Sequence, residues 1–179
     1  MSTTGKNFYD RSKTQTGLLE RIELIIPGFR GYKEKELRRE SDKLVRNQMY
    51  VKLSEAESLV KDVYRSLVNQ GVSEAWDDTD HLVARMDRIT ERINHSEYGY
   101  AGFFDAMKVK EPDLDRMMAF DDQLLQQVDT VTQAVAALKD SIEGGRPQEA
   151  RAKVAAATKA VDALELAYNG RKDVIMGAA

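Results

Sequence analysis

Cysteine is absent from this 179-residue chain. Its absence excludes disulfides, thiolate zinc sites, cysteine-ligated iron–sulfur clusters and a cysteine nucleophile together. Proline is scarce: Pro27, Pro112 and Pro147 are the only three. Neither proline nor glycine occurs from Tyr32 to Gln70, from Val72 to Tyr98, from Asp113 to Glu143 or from Gln148 to Asn169. Helix interiors exclude proline and disfavour glycine, so these gaps mark where helices run without interruption. Long apolar runs are missing too, and no stretch approaches the ~18 residues needed to span a bilayer. Aromatics make up only 7% of the residues. A net charge of −3 gives no basis for nucleic-acid binding by the whole surface.

What is present is helical rhythm. Leu18, Leu19, Ile22, Ile25 and Ile26 recur at helical spacing until Pro27-Gly28 ends them. Met49, Leu53, Ala56, Val60, Val63 and Leu67 follow in steps of four and three, which keeps one stripe facing a partner helix. A helix over Tyr32–Gln70 would be roughly 58 Å long, with Gly71 as its left-handed cap. Ser73 is the expected N-cap of the next helix, whose stripe is Trp76, Leu82, Met86, Ile89 and Ile93. A third long helix starts at Pro112 and carries Met117, Leu124, Val128, Val131, Val135, Leu138 and Ile142, with Asp121 as the polar member of the seam. After the reversal Gly144-Gly145-Arg146-Pro147, the last helix presents Ala150, Val154, Ala157, Val161, Leu164 and Tyr168 and is expected to stop at Asn169-Gly170. The pattern predicts an all-α antiparallel bundle of about four long helices with a short N-terminal helix. Residues 1–17 read as a flexible tail without the apolar core of a signal peptide, residues 18–170 as one bundle domain, and residues 171–179 as a C-terminal tail.

Candidate chemistry is thin. Di-iron bundles need a Glu from each of two helices and Glu-x-x-His from each of the other two. The two histidines, His81 and His95, fall on one predicted helix, and only Asp78-x-x-His81 has the spacing. No GxSxG, P-loop or dinucleotide fingerprint occurs. Residues 1–70 hold 14 Lys/Arg against 10 Asp/Glu, leaving 13 and 20 of the 27 and 30 for the remainder. Within that basic half, Arg30–Arg46 carries seven basic and four acidic residues. Glu34 with Arg38 and Asp42 with Arg46 are i,i+4 pairs, so the segment reads as a salt-bridged solvent face, with an acidic membrane surface as the alternative target. Tyr98, Tyr100, Phe103 and Phe104 gather four of the 13 aromatics around Gly99 and Gly102. They read as a plug at one end of the bundle, with a partner-binding patch as the functional alternative.

The segments PGFRGYKEKELRR (Pro27–Arg39) and YGYAGFFDAMKV (Tyr98–Val109) resemble segments of a prokaryotic helical family with no assigned function. The resemblance implies a helical fold and transfers no activity and no functional residue. The expectation is therefore a soluble, cytoplasmic, non-enzymatic scaffold or adaptor that acts through protein–protein contact or self-association, with no cofactor. Docking on an acidic membrane through Arg30–Arg46 is the alternative, and a metal-dependent bundle enzyme the remote one.

Overall fold

The computed structural model describes residues 35–95 and 111–175. They form four α-helices: α1 (Lys35–Gln70), α2 (Trp76–Asn94), α3 (Glu111–Glu143) and α4 (Ala150–Ile175). There is no strand among the described residues. The all-α bundle read from the sequence is thus the observed fold. The short N-terminal helix expected at residues 18–26 and the aromatic segment Tyr98–Phe104 lie outside the described residues.

Each hairpin turns through the same hydrogen-bonded cap. Gly71 (φ 69°) donates to the Val68 carbonyl at 3.1 Å, and the Val72 N–H reaches back to Leu67 at 3.0 Å. Gly145 (φ 70°) repeats this with Ile142 at 3.2 Å, and Arg146 with Ser141 at 2.9 Å. These bonds satisfy carbonyls that a helix end leaves orphaned, and glycine takes the left-handed position without a Cβ penalty. A single 3₁₀ turn then leads into the next helix, Ser73–Ala75 before α2 and Pro147–Glu149 before α4.

Two terminal expectations are corrected. Ser73 does not cap α2: it opens the 3₁₀ turn, and the helix starts after Ala75 with no side-chain cap. The Asn169-Gly170 signal does not stop α4, which continues to Ile175. One helical glycine costs only about 1 kcal/mol, and packing over the preceding five turns outweighs it.

The helices pack in the cyclic order α1–α2–α4–α3, with α2 and α4 touching least. Lys52 meets Asp129, which aligns α1 with α3; Asp78 meets Arg151, and Arg92 meets Asn169, which aligns α2 with α4. Both lateral neighbours are therefore parallel, and α2 and α3 stand at diagonal corners of the square. The seams are buried along the described residues apart from Trp76, the Met117 side chain lying outside those described: Val45, Met49, Leu53, Ala56, Val60, Val63 and Leu67 on α1, and Leu82, Met86, Ile89 and Ile93 on α2. Leu124, Val128, Val131, Val135, Leu138 and Ile142 fill the α3 side, and Ala150, Val154, Ala157, Val161, Leu164 and Tyr168 the α4 side. A buried aliphatic side chain of this kind contributes about 1.5–3 kcal/mol, so the seam is the main source of stability.

The core repeats. Met49 and Leu124, Leu53 and Val128, Val60 and Val135, Ala75 and Ala150, Met86 and Val161, and Ile93 and Tyr168 each stand 75 positions apart. Even the turns match, since Leu67 to Ala75 and Ile142 to Ala150 are both eight steps. Trp76 is only half-buried, packed against the core from its edge, while Ala75 and Thr79 are fully buried. Thr79 is accommodated there because its hydroxyl donates to the Ala75 carbonyl at 2.6 Å.

Candidate functional site

The weakest seam carries a concave surface. Where α2 and α4 run side by side, a groove of about 640 Å³ opens, walled by Asp78, His81, Ala84, Arg85 and Arg88 on one side and by Val154, Ala155, Thr158, Lys159 and Asp162 on the other. Its floor is made of short side chains, which is why it is a groove. Eight alanines fall from Ala150 to Tyr168, so α4 is a thin helix.

Polar groups in the walls are largely matched. Arg85 bridges to Asp162 and lies 3.3 Å from Glu165, clamping α2 to α4. Asp78 stands 3.5 Å from Arg151. Thr158 returns its hydroxyl to the Val154 carbonyl at 2.9 Å. Further down, Arg92 donates to Asn169 Oδ1 at 2.6 Å and lies 5.4 Å above the Tyr168 ring. His81, Arg88 and Lys159 are exposed in the groove and take part in no hydrogen bond or ion pair among the described residues.

Beside the groove, the solvent side of α4 carries apolar residues where a solvent-facing helix is normally charged. Ala152, Ala155, Ala156 and Ala163 are exposed on α4, and Leu166 is 75% exposed. The neighbouring α3 has Asp129 as its only charged residue between Gln123 and Leu138. The first hairpin carries local ion pairs on α1, Lys61 with Glu57 and Arg65 with Asp62. There Glu57 accepts a 2.5 Å hydrogen bond from Lys61 and, with its own charge, holds that ammonium above the usual lysine range.

The residues singled out in the sequence fare differently. Tyr98, Tyr100, Phe103 and Phe104 lie outside the described residues. Of the Arg30–Arg46 segment, the helix is described from Lys35; Lys43 is exposed, and Arg46 is half-buried and engaged. The Asp78-x-x-His81 pair opens onto the groove, but Asp78 is held by Arg151. His95 Nε2 sits 2.9 Å from Glu91 instead. No group of three His, Asp or Glu among the described residues is placed to hold a metal ion. Asp121 is buried as its seam position requires, and Asp122 beside it is buried too, accepting a 2.6 Å hydrogen bond from Gln126. Phe120 is half-buried against the core, at the position 75 residues after Val45. The groove itself escaped the sequence reading. Its α4 wall is a second stripe, Ala155, Thr158, Lys159 and Asp162, beside the buried one.

Comparison with protein-family models, curated proteins and solved structures gives no match to any of them. No helix among the described residues is long and apolar enough to cross a membrane.

Proposed function

We propose that this bundle is a non-enzymatic scaffold or adaptor that works by protein–protein contact, with the α2–α4 groove and the adjoining face of α4 as its contact surface. The observation that carries the reading is Leu166, three-quarters exposed on a helix whose solvent side also exposes Ala152, Ala155, Ala156 and Ala163 among its charged residues. An apolar rim beside a concavity is the feature that marks partner surfaces on helical proteins. Nothing in the packing requires a leucine there, since it is on the side of α4 away from the core.

Affinity capture under native conditions tests this, with wild type and Leu166→Glu compared side by side. The expected result is a partner, or a second copy of the chain, retained by wild type and lost by the variant. Identical recoveries from both would overturn the reading. Sedimentation with anionic vesicles addresses the alternative, docking through Arg30–Arg46; wild-type binding to vesicles without any protein partner would favour it.

A further inference from the structure

We infer that the α2–α4 groove receives an amphipathic helix from a partner, bearing carboxylates on both flanks of its apolar stripe, about six residues apart. The inference rests on the contact reading above and specifies the partner's chemistry.

The form of the occupant follows from the walls. Both are α-helices whose backbone groups are already bonded internally, so an extended peptide finds no edge to pair with. A helix satisfies its own backbone and needs only side-chain complementarity. Ala84, Val154 and Ala155 leave depressions between taller neighbours, the shape into which a third helix sets its knobs.

The charge follows from what the groove leaves unmatched. Its acids are committed, Asp78 to Arg151 and Asp162 to Arg85. Its remaining full cations are Arg88 on the α2 rim and Lys159 on the α4 rim. Carboxylates complement them, and cationic helices are repelled.

The spacing follows from register. Arg85 faces Asp162 and Arg92 faces Asn169, both 77 positions apart, so Lys159 stands level with Leu82. Arg88 is six residues further along α2, roughly 9 Å at 1.5 Å per residue. Six residues turn a helix by about 240°, which carries a side chain from one flank of an apolar stripe to the other. A glutamate at i and another at i+6 thus meet Lys159 and Arg88 across the groove.

The probe is a fluorescein-labelled 18-residue peptide with leucines in three–four rhythm and glutamates at i and i+6, read by anisotropy. Controls are its Glu→Lys version and a version with the glutamates at i and i+3. Wild-type protein should bind the first peptide about tenfold more tightly than either control. Arg88→Glu with Lys159→Glu should reverse the preference toward the Glu→Lys peptide. Both positions are exposed, so circular dichroism and melting should stay at wild-type values. Absence of saturable binding, or a preference unmoved by charge reversal, overturns the inference. So does loss of anionic-vesicle binding on charge reversal with no peptide binding, which would make the groove a membrane surface. Should native capture still fail with Leu166→Glu yet survive both reversals, the contact reading stands and the acidic helix falls.

Discussion

Single residues in this bundle differ sharply in what they can tolerate, and burial decides it. Val135 is fully buried midway along the α3 seam. Val135→Asp would place a carboxylate there with no partner, at about 4 kcal/mol or more, a large part of a typical domain's stability. Loss of the cooperative melt is expected, and a melting temperature near wild type would show the α3 seam to be exposed. Gly145 is constrained by conformation rather than space, since a Cβ there would meet nothing within 4 Å while φ is +70°. Gly145→Ala should therefore lose about 1 kcal/mol, from backbone strain alone. Urea unfolding resolves that difference, and an unchanged midpoint would mean the turn had rearranged.

At the scale of the element, α4 is the least ordinary helix. It runs through a glycine that reads as a stop, and Gly170 has open space where a Cβ would sit and no left-handed φ. Gly170→Ala is expected to stabilise the protein by about 0.5–1 kcal/mol, because the native backbone there is helical and the unfolded chain loses freedom. A destabilised variant would put the end of α4 at Asn169 after all. The seams of all four helices were legible because heptad spacing records burial directly: Met49 to Leu67, Leu124 to Ile142 and Val154 to Tyr168 are all where their rhythm puts them. Helix ends were less legible. Ser73 has the right side chain for a cap, but the 3₁₀ turn that matches Leu67 to Ala75 displaces the helix start past it. Trp76 misled for the opposite reason, since apolarity assigned it to the core while the smaller Ala75 and Thr79 fit the space. The groove was illegible because it depends on which helices become neighbours. Nothing in the spacing of Arg88 or Lys159 announces that α2 will lie parallel to α4.

For the molecule as a whole, the parallel pairing across the hairpins sets the order of events in folding. Contacts within α1–α2 and within α3–α4 join residues near in sequence, whereas Asp78 to Arg151 and Lys52 to Asp129 close loops of more than seventy residues. Local contacts form first because little chain entropy is lost in making them. The α3–α4 pair is also the most extensively packed of the four, so it is the expected nucleus, and the sparse α2–α4 seam the last to close. In stopped-flow refolding, Leu138→Ala should slow folding with a φ-value above about 0.5, while Ile89→Ala should mainly speed unfolding, with a φ-value below about 0.3. Trp76, the only tryptophan, reports the closing of the first hairpin. The reverse ranking would assign the nucleus to α1–α2. A seam that closes last also opens first in the native state, as a sub-global fluctuation rather than through unfolding of the bundle. Amide exchange along the facing sides of α2 and α4 then outpaces exchange along α3.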